Sequence, residues 1–169
     1  MIPFLTLVAL AEAAVLPHAR VGGAQPDLML VIVGAWSLRR GVEEGAVWAF
    51  IGGMVLDLLS AGPFAASMFA LLAVSLVWGV DPSTGLGRRR GEGLSGGPLP
   101  LVVGMVLATL VFHVVLLTAL QLTGRSIDWL DATRRVIAPR AIFNLALIPF
   151  IYRMLGRLDR RTRREGLRL

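Results

Sequence analysis

The sequence predicts an all-α, polytopic membrane protein of six crossing helices, and three observations carry that prediction. Of its 169 residues 56% are apolar and 17% charged, against about 45–50% and about 25% in a soluble domain. Mean hydropathy is strongly positive, which is more apolar surface than one soluble core of this size can hide, so lipid is expected to be the solvent for much of it. The apolar residues fall into six segments, and the arginines between those segments collect mainly on one side.

A crossing needs roughly 20 mostly apolar residues, because a hydrocarbon layer about 30 Å thick is climbed at about 1.5 Å per residue. The segments are residues 2–17, 26–40, 42–60, 63–80, 98–122 and 136–155, forming one domain over 1–155 with a basic tail over 156–169. The first is interrupted only by Glu12 and stops at Pro17. It lacks a basic leading region, and Pro17-His18-Ala19-Arg20 is no small-residue cleavage site, so it reads as a helix and not a leader. The second opens at Pro26-Asp27, proline near the first position and an acid in the first turn, and meets Arg39-Arg40. It is short, and it either crosses with snorkelling arginines or re-enters. The sixth contains Arg140, Asn144 and Pro149.

Cytoplasmic loops gather Lys and Arg. With six crossings and an inside N-terminus, twelve of the seventeen arginines lie on the cytoplasmic side: Arg39, Arg40, Arg88 to Arg90, Arg153 and six in the tail. Arg20, Arg125, Arg134 and Arg135 lie opposite, with Arg140 just inside a helix. An inner-membrane location with both ends in the cytoplasm follows, the N-terminus depending on whether residues 26–40 cross. Trp36 and Trp78 fall near cytoplasmic helix ends and Trp129 in an external connection, where amphipathic rings prefer the interface, while Trp48 is expected inside the bundle. Residues 81–97 are rich in Gly and Ser and read as a flexible cytoplasmic connection. Residues 124–135 read as a short interfacial helix on the outer surface, with Ser126 as its N-cap and Asp128 in its first turn.

Chemistry-bearing residues are few. The chain has no cysteine and no lysine, so thiolate sites and a Walker lysine are excluded, and the serine-hydrolase and zinc-protease motifs are absent. No enzyme activity, cofactor or metal is expected. Ionisable groups inside a bilayer are costly and each invites a functional reading. Glu12, Asp27, Asp57, His113 and Arg140 all fall in the outer half of the membrane, and the similar depth and opposite sign of Asp57 and Arg140 suggest a pair. The cluster is either structural, or an ion or proton relay, or a socket for a partner helix. His113 lacks the further ligands a metal needs and reads as packed. Gly41, Gly45, Ala49, Gly53 and Asp57 repeat at four-residue spacing, a face that lets another backbone approach, within the chain by default or in another protein. The tail arginines read as an anchor on anionic membrane lipid. Nucleic acid is a poorer partner, since anionic headgroups are already adjacent.

Three runs resemble a known family. Pro26-Asp27-Leu28-Met29-Leu30, then Arg40-Gly41-Val42-Glu43-Glu44-Gly45-Ala46, then Gly53-Met54-Val55-Leu56-Asp57-Leu58-Leu59-Ser60 are similar to the core signature of the rod shape-determining protein MreD family, and Asn144 with Pro149 resembles its last helix. The likeness covers residues 26–67 well and the sixth segment loosely. It implies a non-catalytic scaffold of the cell-elongation machinery that builds side-wall peptidoglycan. Its partner would be a single-span MreC-like protein, and through it the actin-like filament protein and the wall polymerase and transpeptidase; a homodimer is among the assemblies open to it. It also implies a helical arrangement resembling the substrate-binding subunits of energy-coupling transporters, from which the alternative function, a small-solute-binding subunit, is taken. Asp27, Gly41, Glu43, Glu44, Gly45, Gly53, Asp57, Ser60, Arg140 and Asn144 are the structural or partner-contact candidates.

Overall fold

The computed structural model describes residues 2–18, 25–60, 62–79 and 98–165, which are helical throughout apart from short connections and contain no strand. The expected flexible connection over 81–97 and Arg20 lie outside the described residues, as do the side chains of the tail arginines beyond Leu155. Helix α1 is Ile2–Leu10, widened into a π turn over Ala11–Val15 and closed by a 3-10 turn over Leu16–His18. Then follow α2 (Leu28–Arg40), α3 (Val42–Leu59), α4 (Ala66–Gly79), α5 (Pro98–Leu122), the single turn α6 (Trp129–Ala132) and α7 (Ala138–Glu165). A second π turn, Thr133–Ile137, joins α6 to α7, so the expected separate interfacial helix is instead the leading end of the last helix. Its N-cap is Asp128, not Ser126: the Asp128 carboxylate accepts from the Leu130 and Asp131 N–H groups. The acid one residue before the helix reaches those amides, whereas Ser126 sits too early.

Two helical stretches, Val102–Leu122 and Trp129–Leu155, are long and apolar enough to cross a membrane, and Ile2–Ala14 and Ala66–Trp78 are shorter apolar helices. Large apolar side chains such as Leu7, Phe50, Phe69, Leu107, Ile142 and Phe150 face outward on α1, α3, α4, α5 and α7. In contrast, every residue of α2 from Met29 to Leu38 is buried. This short helix packs against α1, α3, α4, α5 and α7 and forms the axis of the bundle. At 13 residues it is about 20 Å long. Covered by protein on every side, it needs no lipid-facing length of its own.

The close approaches that pack α2 and α3 use glycine. A Cβ on Gly45 would strike Ser37 of α2, one on Gly52 would come within 2.6 Å of the Met29 sulfur, and one on Gly53 would strike the Met68 backbone of α4. The small-residue face of α3 is thus filled from within the chain. Trp36 and Trp78, expected at the interface, are both buried. Trp36 stacks on Trp48 with ring centroids 4.3 Å apart, and Trp78 lies over Gly34 and Gly104, where any Cβ would come within 2.8 Å of its ring. Their depth along the helix was readable in the sequence; the direction in which they face was not.

The link between α2 and α3 is one residue, Gly41, at φ 87 and ψ 179. That region is almost closed to residues with a Cβ, and occupying it costs about 1–3 kcal/mol. Gly41→Ala is therefore expected to lower the unfolding free energy by about that amount, read from denaturant titration of the protein in detergent. An unchanged transition would mean that the turn relaxes without cost.

Candidate functional site

At the end of the bundle where α2 begins, polar side chains from α1, α2, α5 and α7 converge. Asp27, the residue preceding α2, is buried together with Thr109, His113 and Asn144. Asp27 occupies the N-cap position, but its carboxylate does not cap its own helix. It turns instead toward α7: Arg140 Nη1 donates to Oδ1 at 2.6 Å and Asn144 Nδ2 donates to Oδ2 at 3.1 Å. The Asp27 N–H donates back to Asn144 Oδ1 at 2.8 Å, so aspartate and asparagine clasp each other by side chain and backbone. Arg140 and Asn144 are four residues apart on one face of α7, which is why one residue can receive both.

Helix α5 contributes a second i, i+4 pair. Thr109 Oγ1 donates to the Met105 carbonyl at 2.9 Å and accepts from Asn144 Nδ2 at 3.3 Å. His113 Nδ1 lies 2.9 Å from the Thr109 carbonyl, and its Nε2 lies 3.7 Å from Asp27 Oδ2. The cap that Asp27 withholds from α2 comes from α1: the Met29 N–H donates to Glu12 Oε2 at 2.8 Å. Glu12 stands in the π turn Ala11–Val15, and such local widenings often mark positions where a side chain is re-aimed.

Asp57 and Arg140 do not pair. Arg140 is taken by Asp27, and Asp57 accepts from the Ser67 N–H at 2.9 Å and the Met68 N–H at 3.1 Å. Equal depth did not bring them together because they face different neighbours: Asp57 looks along α3 into the first turn of α4. There it does for α4 what Glu12 does for α2, a carboxylate on one helix capping the next. Of the five ionisable groups expected in the outer half of the membrane, Glu12, Asp27, His113 and Arg140 belong to one cluster and Asp57 stands apart.

The remaining candidates are joints. Gly41 is the turn, and Gly45 and Gly53 are the close approaches described above. Glu44 lies 3.4 Å from Arg40 across the turn, with the Arg40 guanidinium over the Trp36 ring. Glu43 is exposed in the first turn of α3, where an acid opposes the helix dipole favourably. Ser60 ends α3, its N–H donating to the Leu56 carbonyl at 2.8 Å. Thr109 was missed at the sequence level, although its spacing from His113 was a usable signal. Among the described residues no group of three or more His, Asp or Glu is placed to hold a metal ion. Comparison with protein-family models, with curated proteins and with solved structures finds no match for this chain.

Proposed function

We propose that this chain is a non-catalytic scaffold of six crossing helices in the bacterial inner membrane, with both ends in the cytoplasm. It would serve the rod-shape, side-wall peptidoglycan machinery by holding an MreC-like single-span protein, and through it the filament protein and the wall polymerase and transpeptidase. The observation that carries the reading is where the resemblance-bearing residues fall. Asp27, Gly41, Gly45, Gly53 and Asp57 each occupy a helix–helix joint, so the residues that resemble the MreD signature are residues of assembly. Apolar side chains facing outward around a polar-clasped interior support membrane residence, since buried polar groups that bond one another are the economical solution in lipid.

A second reading, a small-solute-binding subunit of an energy-coupling-type transporter, is favoured by the polar cluster around Asp27. Affinity purification of the tagged chain from bacterial membranes after mild crosslinking separates the two. The scaffold reading expects a single-span protein with a large external domain to come along. Recovery of a paired ATPase in its place would overturn that reading in favour of the transporter subunit.

A further inference from the structure

We propose that Asp27 and His113 form a buried proton-binding site, the proton lying between His113 Nε2 and Asp27 Oδ2. The first step is the tautomer. His113 Nδ1 is 2.9 Å from the Thr109 carbonyl oxygen, and a carbonyl only accepts, so Nδ1 carries hydrogen. The neutral ring then presents a lone pair at Nε2. That atom is buried without a hydrogen-bond partner, on a residue 1% exposed, and it faces Asp27 Oδ2 at 3.7 Å. An ionised carboxylate also only accepts. Two acceptors thus confront each other in the interior of the bundle.

At 3.7 Å the two atoms stand just beyond hydrogen-bond reach, and a proton on Nε2 converts the opposition of lone pairs into an attraction between unlike charges. Asp27 already accepts from Arg140 on Oδ1 and from Asn144 on Oδ2, which leaves the Nε2 lone pair as the unpartnered acceptor of the two, so the proton resides on the ring.

The charged groups that act on His113 are Asp27 at the start of α2 and Arg140 on α7, with Glu12 beyond them on α1. Helix α4, also packed on α5, brings no ionisable side chain, and Arg134 and Arg135 in the turn Thr133–Ile137 are exposed. The Arg140 side chain, 23% exposed, sets the cluster next to the surface and gives the proton a route in. The inference rests on this geometry and is independent of the scaffold reading.

The chain has two histidines, so His18→Asn leaves His113 as the only ring to observe. The full-length variant, labelled with 15N-histidine and placed in lipid nanodiscs, is followed by NMR as pH is lowered. The neutral ring is expected as the Nδ1–H tautomer, taking a second proton on acidification. Adding Asp27→Asn is expected to weaken proton binding at least about tenfold, because the facing charge is gone. A neutral Nε2–H tautomer, a ring that takes no second proton at any pH where the chain stays folded, or an unchanged proton affinity in Asp27→Asn would each overturn the proposal. The tautomer measurement stands by itself if Asp27→Asn does not fold.

Discussion

Arg140→Leu is expected to lower the unfolding free energy by about 3 kcal/mol. The substitution keeps an apolar stem on α7 and removes the cation that lies 2.6 Å from Asp27 Oδ1. Breaking a buried ion pair by deleting one partner costs about 3–5 kcal/mol, chiefly because the other charge stays behind unpaired. The Asp27 side chain is 3% exposed and cannot turn to water, whereas Arg140 at 23% is partly screened, which sets the value at the lower end. The same logic makes the double variant diagnostic. Arg140→Leu with Asp27→Asn removes both charges and is expected to be more stable than Arg140→Leu alone. Unfolding by denaturant in nanodiscs measures all the variants. A double variant that loses the sum of the two single effects would show that the residues do not act as a pair.

Asp57→Ala is expected to cost about 2–4 kcal/mol, from two hydrogen bonds to a charged acceptor at about 1.5–3 kcal/mol each less some relaxation. The reason lies in α4. Its N-cap position is held by Ala65, at φ 69, a residue with no side chain able to accept a hydrogen bond and a strained backbone for anything but glycine. The Ser67 and Met68 N–H groups would be orphaned beside the core without the two Asp57 oxygens. Asp57→Asn retains one carbonyl acceptor and is expected to lose about half as much. Hydrogen exchange of the first α4 amides distinguishes this from a general loosening: protection should fall at Ser67 and Met68 before it falls elsewhere. Uniform loss of protection along α4 would argue against a capping role. Any drop in partner recovery on Asp57→Asn has to be read against the folded fraction, since the residue acts inside the chain.

How much of this was legible in the sequence differs by element. Helix ends were readable where the chain marks them with a residue of special backbone, as at Gly41, or with proline, as at Pro98. The depth of Glu12, Asp27, His113 and Arg140 was readable because position along a helix follows directly from residue count. The facing of side chains was not, because a helix apolar on most sides carries little periodic signal to say which side meets which neighbour. That is why Asp57 was matched with Arg140 on depth and sign, and why Trp36 and Trp78 were assigned to the interface. The four-residue spacings of Thr109 with His113 and of Arg140 with Asn144 were the usable exceptions, since each places two polar groups on one stripe. Helix α2 is the least legible element, because its 13 residues are short for a lipid-facing crossing and only the packing of other helices around it accounts for that length.

The borrowed caps impose an order on biogenesis. Leaving the ribosome, α2 cannot satisfy its first turn until the chain has folded back far enough to bring Glu12 to Met29, and α4 waits in the same way for Asp57. Neither helix is a self-sufficient folding unit. The natural units are the hairpins α1–α2 and α3–α4, each closed by a carboxylate, with α2 then enclosed as later helices arrive. The clasp of Asp27 by Arg140 and Asn144 draws on α7. A ribosome stalled before residue 140 would therefore hold a chain whose Asp27 is still open, and this end of the bundle closes only when α7 arrives.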